Sequence, residues 1–120
     1  MDKKLILIAE DDKVSTQYLS EILLNEDFDL LFASSGKDAV EQCRNNPAIN
    51  MVLMDIKMPG MNGEEATRKI KAMRPDLPVI AQTAYAFNEE RVAILRSGFD
   101  DYIAKPVIKE DLIARIKKLL

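Results

Sequence analysis

The stretch Met51-Val52-Leu53-Met54-Asp55 limits the possible folds more than any other part of the chain: four apolar residues run without a break into one carboxylate. Such a run has no polar face to offer water, so it suits a strand covered on both sides, as strands are in parallel sheets. Leu5-Ile6-Leu7-Ile8-Ala9 is a second unbroken run, and it too ends in acid, at Glu10-Asp11-Asp12. After Asp55, the segment Ile56-Lys57-Met58-Pro59-Gly60-Met61-Asn62-Gly63 holds a proline and two glycines, which stop the strand. Asp55 therefore falls at the carboxyl end of a central strand. In open parallel sheets that edge is where ligands collect.

Between the strand-like runs lie segments of helical period. Val14, Tyr18, Leu19, Ile22 and Leu23 recur at helical spacing and predict one apolar face on a helix over 14–24. A short strand over 28–33 follows. Gly36 marks a turn, and Ala39, Val40 and Cys43 line a helix that ends before Asn45-Asn46-Pro47. Past Asn62-Gly63 a helix over 64–73 turns Ala66, Ile70 and Met73 inward. Glu64 and Glu65 in its first turn, with Lys69, Lys71 and Arg74 toward its end, complement its dipole. Pro75 stops it. A fourth strand over 78–82 ends at Thr83. Asn88 caps a helix to about Ser97, closed by Gly98 in the left-handed conformation. A fifth strand over 101–104 ends at Lys105-Pro106. The last helix, over 109–119, turns Leu112, Ile113, Ile116 and Leu119 inward. Strands and helices alternate throughout, the pattern of an α/β fold with a doubly wound parallel sheet and helices on both faces.

At 120 residues the chain makes one domain with a single core. Hydrophobic residues at 48% and charged residues at 31% fit a globular protein, and a net charge of −3 gives no general affinity for nucleic acid or anionic lipid. No apolar run approaches the roughly 20 residues of a bilayer span. The start shows no signal-peptide pattern, so a cytoplasmic location is expected. The lone cysteine, Cys43, forms no internal disulfide and falls on an apolar stripe, where it packs. Histidine is absent, which removes Ser-His and Cys-His catalysis and most zinc chemistry. Met51, Met54, Met58, Met61 and Met73 read as core and loop packing.

Parallel strands share one carboxyl edge. Strand one brings Glu10 and Asp11 there, strand three Asp55, strand four Thr83 and strand five Lys105. Crowded carboxylates resist ionising together unless a cation intervenes. The donors are all hard oxygens, which favours Mg²⁺ with retained waters, Mn²⁺ being a substitute. Lys105 and Thr83 match a ligand that spreads negative charge over several oxygens, as a phosphoryl group does. Asp55 then attacks phosphorus in line and becomes an acyl phosphate. Each residue alone is an ordinary turn or capping residue; the specificity lies in their conjunction at the ends of different strands.

With those residues in view, the sequence resembles the receiver domain of bacterial two-component response regulators, with its chemotaxis-protein-like fold. The resemblance rests on Ile6-Leu7-Ile8-Ala9-Glu10-Asp11-Asp12, on Met54-Asp55-Ile56-Lys57-Met58-Pro59-Gly60-Met61-Asn62-Gly63, on Val79-Ile80-Ala81-Gln82-Thr83-Ala84, on Gly98-Phe99-Asp100-Asp101-Tyr102 and on Lys105-Pro106. It covers the whole chain, residues 1–120. It implies a flavodoxin-like three-layer sandwich of five parallel strands in order 2-1-3-4-5 with five helices. It implies phosphoryl transfer to Asp55 from a histidine on a sensor kinase or a histidine phosphotransfer domain. Asp11 and Asp55 are then Mg²⁺ ligands, Glu10 acts through a metal-bound water, and the Lys57 backbone carbonyl is a further ligand. Asp12 points away and caps, and the Lys105-Pro106 bond is cis. Glu10 stands where the family often has Asp. Lys57 and Tyr85 flank the site where members vary, and tune how fast water removes the phosphate.

The resemblance also implies how the signal leaves. Thr83 follows the phosphoryl oxygen past the small Ala84, Tyr102 rotates into the space vacated, and the surface of helix four, strand five and helix five is remodelled. Tyr102 as a plain core aromatic is the other reading. Val14, Ser15, Tyr18 and the Pro106-Val107 turn would meet the phosphohistidine donor, or else Val14 and Tyr18 are only core. The chain is then a phosphorylated signalling domain rather than an enzyme with an external substrate, with no membrane or direct nucleic-acid partner. It is either a free-standing regulator or a module of a hybrid kinase or of a regulator with a fused output domain. A haloacid-dehalogenase-like phosphohydrolase is the rival, but that family wants a second Asp two residues past the nucleophile, where this chain has Lys57. A nucleotide- or flavin-binding module would need a glycine-rich phosphate cradle, which is missing.

Overall fold

The computed structural model describes residues 3–84 and 88–120, the side chains of 88–90 excepted. Its elements alternate as β1 (Lys4–Ala9), α1 (Lys13–Leu23), β2 (Phe28–Ala33), α2 (Gly36–Asn45), β3 (Ile49–Asp55), α3 (Gly63–Met73), β4 (Val79–Thr83), α4 (Asn88–Arg96), β5 (Asp101–Ala104) and α5 (Lys109–Leu119). All strand pairs are parallel, and the sheet order is β2-β1-β3-β4-β5. The expected architecture is the one found. Among the described residues, no helix is long and apolar enough to cross a membrane.

The unbroken apolar runs explain the layering. Successive side chains of a strand point to opposite faces. Along β3, Met51 and Leu53 join Leu19, Leu23, Leu112 and Ile116 in a core between the sheet and the α1/α5 layer. Val52 and Met54 instead join Ala39, Val40, Cys43, Ala66, Ile70 and Ile94 in a core under α2, α3 and α4. A strand with helices on both sides has no residue to spare for water, and so it reads as continuously apolar. Cys43 lies in the second core, where burial pushes its thiol up to about 11 against the opposing pull of Arg74. It packs, as expected.

Several side chains depart from their expected places. Val14 is 75% exposed and Tyr18 43% exposed, whereas Leu19 and Leu23 carry the buried face of α1. The first turns of α1 stand at the carboxyl edge of the sheet, where the strands end beneath them. Met73 is 38% exposed for the same reason at the far end of α3, and Ile70 is that helix's last buried residue. Gly36 is the first residue of α2 rather than a free turn. It is buried, and a Cβ added there would lie 2.4 Å from the Met61 carbonyl oxygen, so the loop after β3 closes on a residue that has none. Gly98 takes φ 99° past the end of α4, as expected for a left-handed stop. The Asn88 cap falls outside the described side chains.

Arg74 is the C-cap residue of α3, and its guanidinium reaches across to the turn that enters β3. Nη1 donates to the Asn46 carbonyl at 3.3 Å, and Nη2 donates to the Pro47 and Ile49 carbonyls at 3.3 and 2.7 Å. It thus ties three backbone carbonyls beside the central strand, a fork geometry that lysine cannot reproduce. Arg74→Ala is expected to lower stability by about 1–3 kcal/mol, measured by urea unfolding, with Arg74→Lys recovering only part of the loss.

Candidate functional site

The four strand ends meet. Beyond the last paired residues the backbone ladder continues, which fixes the residues that carry the chemistry. The Glu10 amide donates to the Ala33 carbonyl at 3.0 Å, Ile56 donates to Gln82 at 3.3 Å, and Lys105 donates to Thr83 at 2.8 Å. Gly63 opens α3 against Asp55 itself: its amide donates to the Ile56 carbonyl at 2.9 Å, and a Cβ there would lie 2.1 Å from the Asp55 carbonyl oxygen. Asn62 caps α3 through the Glu65 amide at 2.9 Å. The loop that follows Asp55 is therefore held at both of its glycine contacts. The sequence shows Gly63 as a strand-stopper and Gly36 as a turn, but not which backbone each one lies against.

Lys105 is the charge at the centre. Its Nζ donates to Glu10 Oε1 at 3.1 Å and to Asp55 Oδ1 at 3.2 Å, joining residues far apart in the chain. Its bond to Pro106 is cis. Glu10 and Asp55 are both buried, while Asp11 is exposed. Carboxylate oxygens of Glu10, Asp11 and Asp55 all lie within 4.8 Å of one another. Burial and the neighbouring Asp55 raise the Glu10 carboxyl above its ordinary value, and Lys105 offsets only part of this. Burial by itself would lower the Lys105 ammonium, but Glu10 and Asp55 outweigh it and hold the group protonated beyond its usual range. A tight set of hard oxygen donors carrying excess negative charge fits a small divalent cation.

Asp12 has the separate duty expected of it. Its Oδ2 accepts from the Ser15 hydroxyl at 2.8 Å and the Ser15 amide at 3.0 Å, capping α1, and those bonds lower its carboxyl below the usual range. Thr83 is buried at the end of β4. It lines a pocket of about 130 Å³ with Asp55, Ile56, Lys57, Gln82, Ala84 and Lys105. Tyr85, named beside Lys57 as a tuning position, lies outside the described residues. Tyr102 is half-buried against the core, and the Arg91 and Arg115 guanidiniums stand 5.4 and 5.8 Å from its ring centroid. Arg115 also donates to Asp101 Oδ1 at 2.7 Å and to the Tyr102 carbonyl at 2.9 Å.

Beside the charged cluster, Val14, Ser15, Tyr18, Leu19, Gln82, Lys105, Pro106 and Val107 line a largely apolar cleft of about 420 Å³. The Tyr18 hydroxyl donates to the Val107 carbonyl and ties α1 to the turn after β5. Val14 and Tyr18 are thus surface residues of this cleft. Gln82 borders both cavities and drew no functional reading from the sequence. Its one sign there is a polar residue closing an otherwise apolar strand, Val79-Ile80-Ala81-Gln82.

Residues 6–117 match the family model described as the response regulator receiver domain. Among curated relatives, the response regulator MprA of Mycobacterium sp. (strain KMS) is 35% identical over 115 residues, which are 96% of this chain and 50% of that protein. The chain thus spans about half the length of that relative. Among solved structures, a CheY-like receiver domain protein from Methanospirillum hungatei JF-1 is 36% identical with a TM-score of 0.89, covering 98% of this chain and 94% of its own. The receiver domain of a sensor histidine kinase from Pseudomonas aeruginosa PAO1 is 28% identical with a TM-score of 0.90, covering 98% of each chain, and it holds a magnesium ion in its active site cleft.

A carboxyl whose value is raised in the fold favours the protonated state there, so the stability it contributes is lost as pH climbs above the unfolded value. Glu10 is such a group. Glu10→Gln is therefore expected to be more stable than the wild type at pH 7.5 in metal-free buffer, with the gap shrinking toward pH 4.5. Added Mg²⁺ should stabilise the wild type more than the variant, as read by thermal melting.

Proposed function

This chain belongs to the response regulator receiver domain family of two-component signalling, and from that premise we propose that it accepts a phosphoryl group on Asp55 and passes the change to the face made by α4, β5 and α5. One observation carries the reading: a single ammonium, Lys105, is lodged between two buried carboxylates delivered by different strands. Such an arrangement is poised for charge to be added at Asp55.

In the transfer, an Asp55 carboxylate oxygen attacks phosphorus in line. The new bond is O–P; the bond broken is the P–N bond of a phosphohistidine on a kinase or a histidine phosphotransfer domain, and its electron pair stays with the imidazole. Lys105 turns from Asp55 to an equatorial phosphoryl oxygen, a charge-assisted hydrogen bond. Thr83 donates its hydroxyl to another. Glu10, Asp11, Asp55 and the Lys57 carbonyl would hold Mg²⁺, which when bound neutralises the carboxylates and one phosphoryl oxygen; Mn²⁺ meets the same donor set. The neighbour with magnesium in its cleft supports this assignment. The site accepts a group and loses it to water, which suits a signalling domain. The family match leaves the phosphohydrolase reading without support.

Two surfaces follow. The exposed Val14 and Tyr18 at the cleft below Pro106-Val107 suit the phosphohistidine-bearing partner. Thr83 drawn toward phosphate, with Tyr102 following from its place beside Arg91 and Arg115, is a two-state element that biases the opposite face toward a downstream target or a fused output domain. We place the domain in the cytoplasm, where the phosphodonor's histidine would be. Incubation with acetyl phosphate and Mg²⁺ is expected to add one phosphoryl group by intact mass to the wild type and none to Asp55→Asn. Amide exchange should then change in α4, β5 and α5 of the phosphorylated wild type alone. A mass gain that survives the substitution puts the acceptor elsewhere.

A further inference from the structure

Gln82 is a buried polar residue with an unspent donor. It is 1% exposed, and its Nε2 meets no hydrogen-bond partner among the described residues. An orphaned buried amide is unfavourable, and proteins keep few of them. Its place is specific. Gln82 is the register partner of Asp55 on the adjacent strand. Two residues earlier, the paired Leu53 and Ile80 both point into the core under α1 and α5, so Asp55 and Gln82 point to that same face. Gln82 borders the small pocket lined by Asp55, Thr83 and Lys105, and also the apolar cleft next to it. On the cleft side its neighbours include Val14, Leu19, Pro106 and Val107, whose side chains accept no hydrogen bond, and neither the Ser15 nor the Tyr18 hydroxyl accepts one from Nε2.

Resting on the phosphoacceptor reading above, we propose that Gln82 Nε2 is the donor that takes up the Asp55 carboxyl oxygen once Lys105 leaves it for the phosphoryl group. In the structure Asp55 Oδ1 is held by Lys105. When the ammonium follows the added phosphate, that carboxyl loses its hydrogen bond from Lys105 while an unpaired donor stands beside it on the next strand. The bond matters most while charge moves on or off the carboxyl. In hydrolysis, the water oxygen bonds to phosphorus and the bond between phosphorus and the Asp55 oxygen breaks. That electron pair returns to the carboxylate, one water proton stays on the released hydrogen phosphate, and the other goes to solvent. A donor aimed at the Asp55 carboxyl stabilises the charge arriving there. In formation from acetyl phosphate, the Asp55 oxygen bonds to phosphorus, the bond between phosphorus and the acetate oxygen breaks, and acetate leaves with that electron pair; the same donor holds the attacking carboxyl in place as Lys105 turns to the phosphoryl group. Gln82 thus speeds both steps.

The test uses the full chain with acetyl phosphate and Mg²⁺ as the probe, in wild type, Gln82→Leu and Gln82→Met, both of which remove the donor and keep an apolar side chain of similar size. Gain and, after desalting, loss of the phosphoryl group are followed by intact mass, and unfolding midpoints are measured alongside. Both variants are expected to gain and lose the group about five- to tenfold more slowly, with midpoints equal to or above that of the wild type, since removing an unpaired buried donor does not weaken the fold. Unchanged rates overturn the proposal, as does a lowered midpoint, which makes Gln82 a packing residue. Slowing confined to transfer from a phosphohistidine protein also overturns it and assigns Gln82 to the cleft. A wild type that takes up no phosphoryl group, or takes it up equally as Asp55→Asn, brings down the phosphoacceptor reading itself.

Discussion

Burying like charges together is the constraint from which the rest of this molecule follows. Glu10 and Asp55 are withdrawn from water side by side, and Lys105 is the cation set between them. Removing ionised groups from water is costly unless partners of opposite charge restore what is lost. A fold that built this cluster for stability alone would do as well with apolar residues. Burial first, and then the neighbouring Asp55, raise the Glu10 carboxyl, and the Lys105 ammonium offsets only part of this. Glu10, Asp11 and Asp55 stand close enough to hold a metal ion, and on the proposed reading Lys105 and Thr83 would receive the anion that comes with it.

The parallel sheet is what makes such a cluster available to a short chain. Each strand returns to the same edge after its crossover helix, so residues some fifty and ninety-five positions apart become neighbours. Hydrogen bonds just past the strand ends hold the backbone of Glu10, Ile56 and Lys105 to adjoining strands, and Gly63 lets α3 close on the Asp55 main chain. On the proposed reading, this backbone bracing would pass a charge added at Asp55 on to Thr83 and Lys105. On β5, Tyr102 has the Arg91 and Arg115 guanidiniums beside its ring.

Much of this was legible in the residues. Apolar runs ending in Glu10, Asp55, Thr83 and Lys105 declare strands whose ends gather polar groups, because a strand covered on both faces has few other places for them. The order of the strands was not legible in that pattern, since an apolar run shows that a strand is covered but not which strand lies beside it; the order came with the family resemblance. The surface positions of Val14, Tyr18 and Met73 were also hidden. Helical spacing reports which side of a helix is apolar, but not how far the sheet extends beneath it. Arg74 reads as a dipole-matching charge until the turn it clamps is seen in space. Gln82 reads as one more strand residue until the register sets it beside Asp55.

The most direct measurement is a crystal structure of the chain grown with Mg²⁺ and beryllium fluoride, a mimic of the phosphoryl group. The expected density shows the fluoride adduct on the Asp55 carboxylate, the metal among Asp11, Asp55 and the Lys57 carbonyl, and the Lys105 ammonium turned from Asp55 onto a fluorine. Density for the adduct away from Asp55, or a Lys105 that keeps its bond to Asp55 while the adduct is bound, would contradict the central claim.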